Sequence, residues 1–176
     1  MNKIFVIGAA GSGKSTLARK IASKSGAKYL ELDSVNHQAG WQPIDRGEFR
    51  RIVNVATQDV SWVIDGNYLS TIGQDIWKRA DAVVWLDRPF IVVFGRLVFR
   101  TLRRTLTREE LWNGNKESFT GNFFTKDSVI YFMINKWKSQ KRKYNAIFNE
   151  PDALPGVELI RLKRDSDVRN FLKRIY

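Results

Sequence analysis

Short apolar runs alternate along the chain with segments whose apolar residues recur at helical spacing. Ile4, Phe5, Val6 and Ile7 form the first run, so residues 2–7 read as a buried strand. Residues 14–25 read as a helix that Gly26 stops. Lys28-Tyr29-Leu30-Glu31-Leu32 is a short second strand ending at Asp33, and residues 34–45 hold Gly40 and Pro43 and read as a loop. Residues 46–58 return to helix, with Phe49, Ile52, Val53 and Ala56 on one face. Asp45 is the expected N-cap, and Glu48 three residues on completes a capping-box-like pattern.

The second half repeats the alternation. Ser61 to Gly66 is a third strand, a short helix is expected around residues 71–79, and Ala82 to Asp87 is a fourth strand. Pro89 suits the first turn of a helix over residues 90–104, on which Phe90, Phe94, Leu97 and Leu102 are expected to pack inward. Residues 105–125 are polar and irregular, and a strongly basic helix covers about 126–147. Val157 to Ile160 is a fifth strand, and Asp165 or Ser166 caps a closing helix ending near Ile175. Strands alternating with helices imply an α/β fold with a parallel sheet covered on both faces. Its functional groups gather at the carboxyl ends of the strands. Residues 1–176 read as one domain without internal repeats.

Composition narrows the chemistry. The chain has no cysteine, which excludes thiolate metal sites, disulfides and cysteine nucleophiles, and its one histidine, His37, excludes multi-histidine metal centres. The window Phe90 to Phe99 is too short and too charged to span a bilayer. A chain that opens directly on a core strand, with no visible signal peptide, is expected to be cytoplasmic. The formal charge of +12, from 30 Lys+Arg against 18 Asp+Glu, attracts polyanions without choosing among nucleotides, nucleic acid and acidic surfaces.

The first strand runs into Gly8-Ala9-Ala10-Gly11-Ser12-Gly13-Lys14-Ser15-Thr16, which fits G-x-x-x-x-G-K-[ST] between a strand and a helix. Glycines let consecutive N–H groups turn inward around phosphate oxygens, at the positive end of the next helix. Lys14 supplies a mobile charge for the outer phosphates, and the Ser15 hydroxyl suits magnesium. An ATP or GTP phosphate site follows. Asp65 and Asp87 each close an apolar strand, and either fits the acid that holds magnesium beside such a loop. Asp33 is placed to orient an acceptor hydroxyl and take its proton.

The remaining candidates are cationic or aromatic. Arg96, Arg100 and Arg103 share one helix face, and Arg104 and Arg108 lead into residues 103–125, which read as a lid. Arg100, Arg103, Arg104 and Arg108 are the candidates for stabilising charge on a transferring phosphoryl group. His37 and Trp41 lie in the acceptor region, about residues 33–60, together with Arg46, Arg50 and Arg51. Arg161 and Arg164 follow the fifth strand, where an arginine plane suits a nucleotide base. In the basic helix, Trp137 and Tyr144 interleave with lysines, a pattern that also suits single-stranded nucleic acid.

The chain resembles the adenylate kinase-like branch of small P-loop kinases. The resemblance rests on Gly8 to Thr16, the Leu32-Asp33 strand end, Trp62 to Gly66, the arginine-rich helix into a lid, and the last strand–helix pair. It is closest to bacterial topology modulation and adenylate kinase-like proteins, through Glu31-Leu32-Asp33 and Leu111-Trp112-Asn113-Gly114-Asn115. The resemblance implies a P-loop three-layer sandwich with strand order 2-3-1-4-5, a lid, and Asp65 as the magnesium acid. Two features depart from adenylate kinases. Asn67-Tyr68-Leu69 stands where they carry Phe-Pro-Arg, and the P-loop ends Gly-Lys-Ser-Thr, closer to shikimate and gluconate kinases. The expected activity is ATP- and Mg2+-dependent phosphoryl transfer to a small-molecule acceptor. The alternatives are a nucleic-acid-associated NTPase using the basic surface and a nucleotide-binding regulator.

Overall fold

A computed structural model describes residues 1–116, 129–150 and 153–175. Five strands, β1 (Lys3–Gly8), β2 (Lys28–Glu31), β3 (Trp62–Asp65), β4 (Ala82–Leu86) and β5 (Glu158–Leu162), form one parallel sheet of order β2-β3-β1-β4-β5. This is the expected order, and it places β1 at the centre with β3 and β4 on either side.

Alternation along β1 decides how the layers form. Ile4 and Val6 face a core built with Leu17, Ala18 and Ile21 of α1 (Lys14–Ser25) and Phe171 of the closing helix. Phe5 and Ile7 face the other core, with Phe49 and Val53 of α3 (Arg46–Ala56) and Ile72, Trp77 and Tyr144. Burial on both sides explains why these strands read as continuous apolar runs. Each core side chain of this size contributes about 1.5–3 kcal/mol by leaving water.

Several elements differ from the sequence expectation. Asp33 does not end a strand: Leu32–Asn36 is a short helix, α2, with Leu32 buried and the Ser34 hydroxyl donating to the Glu31 carbonyl at 2.7 Å. A 3-10 turn over Ala39–Trp41 adds order to the expected loop. Asp45 caps α3 as expected, its Oδ1 accepting from Gly47 and Glu48 N–H at 2.8 and 3.0 Å. The Glu48 carboxylate does not return to the cap; it forms a two-point pair with Arg51 at 2.7 and 2.8 Å. The helix expected near residues 71–79 is two turns, α4 (Leu69–Ile72) and α5 (Gln74–Trp77), because Gly73 sits between them at φ 82.

The helix expected over 90–104 runs on as α6 (Phe90–Thr107). Val93, Leu97 and Thr101 form its buried stripe, whereas Leu102 is exposed rather than inward. The basic helix is α7 (Val129–Asn149), and the final helix is α8 (Asp165–Arg174). Neither Asp165 nor Ser166 caps α8. The Asp167 carboxylate accepts from the N–H groups of Lys163 and Arg164 at 2.9 and 2.8 Å. Residues 117–125 of the expected lid, and Lys126 of the expected basic helix, lie outside the described residues. Among the described residues no helix is long and apolar enough to cross a membrane.

Candidate active site

The glycine-rich turn lies between the end of β1 and α1. Gly11 and Gly13 adopt φ 83 and 94, angles that side-chained residues resist. A Cβ at Gly11 would meet the Val93 carbonyl oxygen at 2.4 Å, so α6 packs directly on the turn. A Cβ at Gly13 would meet nothing within 4 Å, and that glycine serves the backbone angle alone. The Ala9–Ala10 apex packs against the buried pair Val93 and Leu97. The first turn of α1 carries no acid, which leaves the positive end of its dipole uncompensated. The Ser12 hydroxyl is buried without a hydrogen-bond partner among the described residues. An uncompensated helix start and an orphaned buried hydroxyl fit an oxyanion.

The next two residues of the motif reach carboxylates on neighbouring elements. Ser15 Oγ donates to Asp65 Oδ2 at 2.5 Å. Tyr29 OH donates to Asp65 Oδ1 at 3.0 Å. Asp65 is fully buried at the end of β3, and burial pushes its carboxyl up to about 6, against the opposing pull of Lys14 and the Ser15 and Tyr29 hydrogen bonds. Burial together with Asp65 also pushes the Tyr29 phenol up, so that it stays a donor. A hydroxyl and a carboxylate in contact are the hard oxygen donors that suit Mg2+, which keeps water and phosphate as its other ligands. Among the described residues no three acidic or histidine side chains converge as a separate metal cage.

Asp87 does not share this arrangement. Its carboxylate accepts from Arg161 at 2.6 and 3.0 Å and lies 3.2 Å from Lys141. Two cations therefore hold it at the end of β4. Arg161 also stacks on Trp85, 4.4 Å from the ring centroid. The arginine plane expected to face a base is thus engaged by Asp87 and Trp85. Arg164 stands at the N-cap position of α8.

Across the cleft, Lys14 Nζ lies 3.7 Å from Asp33 Oδ2. Tyr68 OH donates to Asp33 Oδ1 at 2.9 Å. Both elements that carry Asp33 and Tyr68 are short turns pinned by a buried leucine, Leu32 and Leu69 respectively. The Asn67 amide makes a two-way bond to the first glycine of the motif. Gly8 N–H donates to Asn67 Oδ1 at 3.1 Å, and Asn67 Nδ2 donates to the Gly8 carbonyl at 2.6 Å. Tyr144 of α7 adds a hydrogen bond to the same Oδ1 at 3.1 Å. The roles of Tyr29, Asn67 and Tyr68 are not marked by anything local in the sequence, whereas Asn115 belongs to the Leu111 to Asn115 motif that carries the resemblance. The one available signal was that Asn67 and Tyr68 stand where adenylate kinases carry other residues.

The arm that follows α6 is anchored in two ways. Glu109 meets Arg103 at 2.8 Å and Arg104 at 3.4 Å. Arg100 and Arg104 are half-buried, and Arg108 ends α6 in the left-handed region at φ 49. Beyond it, Leu111 to Asn115 turns back, with Glu110 bridging Lys116, and contacts the loop after α2. On α7, Tyr144 is buried in the core and Trp137 packs edge-on against Phe90 at 5.3 Å. Of the two aromatics expected to interleave with lysines for nucleic acid, Tyr144 is turned into the core, while half-buried Trp137 packs on Phe90 and carries Lys141 4.8 Å from its ring centroid.

No protein-family model matches the chain. Two shikimate kinases of Actinobacillus pleuropneumoniae, from serotype 5b (strain L20) and serotype 3 (strain JL03), are each 31% identical over 113 residues, 58% of this chain. The match spans 62% of the length of those relatives. In structure, the chain is similar to a shikimate kinase from Bacteroides thetaiotaomicron, with a TM-score of 0.58 at 16% identity over 98% of this chain and 94% of the other. It is also similar to a sugar kinase from Janibacter sp. HTCC2649, with a TM-score of 0.54 at 20% identity over 98% and 93%. At these identities the likeness is one of fold, and the fold is that of the small P-loop kinases.

Proposed function

We propose that this chain is a Mg2+- and ATP-dependent kinase that transfers a phosphoryl group to the hydroxyl of a small molecule. The observation that carries this reading is the 3.7 Å approach of Lys14 to Asp33, which joins the phosphate-binding turn to a carboxylate in the same cleft. Sequence likeness to shikimate kinases and shared fold with a sugar kinase support it, since both kinds of protein are named for non-nucleotide acceptors.

Backbone amides of the turn that follows Gly8, whose own N–H is taken by Asn67, hold the donor phosphates together with Lys14. Ser15 and Asp65 hold the metal, which when bound neutralises charge on the donor phosphates. Asp33 accepts the proton of the acceptor hydroxyl as its oxygen bonds to the terminal phosphorus and the bond to the bridging oxygen breaks, releasing ADP. Tyr68 fixes one oxygen of Asp33, leaving the other for the acceptor once Lys14 turns to the phosphates. Arginines of the lid, drawn from Arg100, Arg103, Arg104 and Arg108, offset charge on the transferring group. An ATP-consuming reaction of this kind suits a cytoplasmic setting.

The two segments that carry the resemblance to topology modulation proteins belong to this one site. Glu31-Leu32-Asp33 leads into α2, and Leu111 to Asn115 docks on the loop that follows it. A nucleotide donor and a small acceptor are therefore the partners we assign. The test is ATP consumption with hydroxyl acceptors and, separately, with DNA and RNA. Turnover with small acceptors is the expected result, and stimulation by polymer alone overturns it.

A further inference from the structure

The wall of the cleft beside Asp33 narrows the acceptor. His37 follows Asp33 by one helical turn, its N–H donating to the Asp33 carbonyl at 3.1 Å. His37 is the extended residue, φ −91 and ψ 97, that ends α2, and this bond keeps its backbone one turn from Asp33. The His37 ring lies nearly parallel to Trp112, 21° between planes and 5.7 Å between centroids. Trp41 meets His37 edge-on at 5.5 Å and Trp112 at 6.5 Å. Trp41 keeps 38% of its surface exposed, so this aromatic ledge is accessible.

The ledge is built from two distant segments and is held tightly. Asn115 is 5% exposed; its Oδ1 accepts the Trp41 N–H at 3.0 Å, and its Nδ2 donates to the carbonyls of Gln38 at 2.9 Å and Trp112 at 2.8 Å. Asn113 Nδ2 donates to the His37 carbonyl at 2.6 Å. Trp41 and Asn113 sit at φ 61 and 56 on opposite sides of the same contact. A bulky residue holds that conformation only where its surroundings enforce it, and such positions collect at ligand clamps.

Four of the arginines expected in the acceptor region and the lid already contact acids of the chain. On α3, Arg51 is paired with Glu48 and Arg50 lies 4.0 Å from Asp75. On the arm, Arg103 and Arg104 are paired with Glu109. These four arginines meet three acids of the chain, Glu48, Asp75 and Glu109, so most of their charge is balanced internally, and Asp33 repels a second carboxylate brought beside it.

We propose that the acceptor is an uncharged ring bearing a free hydroxyl, with the hydroxyl at Asp33 and the ring face on the ledge of His37, Trp41 and Trp112. Nucleosides and neutral sugars or cyclic polyols share this chemistry. The inference rests on the kinase reading above. Stacking on an aromatic ring is worth about 10-fold or more in affinity for a planar base.

The experiment uses the full chain with ATP and Mg2+, reading phosphorylated product by mass. Acceptors fall into three arms: neutral nucleosides, neutral sugars and cyclic polyols, and anionic acceptors (shikimate, gluconate and nucleoside monophosphates). A kcat/KM at least about 10-fold higher for neutral rings is expected, and the preferred arm separates base from sugar. Trp112→Ala is expected to raise acceptor KM about 10-fold or more with ATP KM unchanged, and Trp112→Phe to recover most of the loss. Should Trp112→Ala also disturb ATP KM, Trp41→Ala decides by the same criterion. Preference for the anionic arm, or an acceptor KM unmoved by both alanine variants, overturns the inference and leaves the kinase reading standing. Transfer to none of the three arms overturns the kinase reading and this inference with it.

Discussion

Ser15 and Asp65, 50 positions apart in the chain, meet at 2.5 Å where the helix after the phosphate-binding turn passes the end of β3. The burial of Asp65 at this contact costs stability at neutral pH, against the opposing help of the Ser15 hydrogen bond. Burial raises the Asp65 carboxyl from 3.8 in the open chain to about 6 in the fold. The folded state therefore binds more protons between these values. The contribution of Asp65 is most favourable below pH 3.8 and is lost as pH rises through about 6. Asp65→Asn is accordingly expected to gain on the parent by about 2–3 kcal/mol between pH 4 and pH 7 in metal-free denaturant unfolding. The same variant is expected to lose Mg2+-dependent turnover. A stability difference independent of pH contradicts this assignment.

Asn67 imitates a peptide group against Gly8, satisfying the main chain where β1 turns into the phosphate-binding loop. Asn67→Leu leaves a buried N–H and C=O without partners, a loss of about 1–3 kcal/mol or more. Asn67→Asp keeps an acceptor for the N–H but sets an oxygen against the Gly8 carbonyl. Urea unfolding of both variants is expected to show clear destabilisation, with ATP KM raised. Parent-like stability in Asn67→Leu contradicts the role.

Arg100, Arg103, Arg104 and Arg108 occupy different settings: Arg103 and Arg104 share Glu109, Arg100 is half-buried on α6, and Arg108 ends the helix. Alanine substitution of the one that meets the transferring group is expected to lower kcat about 10³-fold. The others are expected to fall less than about 10-fold, in line with exposed ion pairs worth under about 1 kcal/mol. Four variants assayed at saturating ATP distinguish them. Uniform small losses across the set contradict a catalytic lid arginine.

What the sequence made legible is what depends on neighbours along the chain. Strands buried on both faces appear as unbroken apolar runs, and the phosphate-binding turn is a local pattern flanked by a strand and a helix. Sheet order came with the resemblance rather than from those runs. The partners of the carboxylates were not legible: Tyr29 reaches Asp65 over 36 positions, and Tyr68 reaches Asp33 over 35. Asn115 reaches Trp41 over 74. Asp65 and Asp87 look alike in sequence, each closing an apolar strand. The resemblance favours Asp65, and the packing of Arg161 and Lys141 around Asp87, and of Ser15 and Tyr29 around Asp65, gives the physical reason. Local helix signals were also overridden where side chains found other partners, as Glu48 did with Arg51.

The most direct test of the account is single-turnover phosphoryl transfer by Asp33→Asn against the parent, with the acceptor that the three-arm assay selects. Asparagine preserves the shape of Asp33 and its contact with Tyr68 but cannot take the acceptor proton. Transfer is expected to slow by about 10²–10⁴-fold, with ATP affinity held within a few fold. Full transfer rate in Asp33→Asn contradicts the proposal that this carboxylate, 3.7 Å from Lys14, is where donor and acceptor meet.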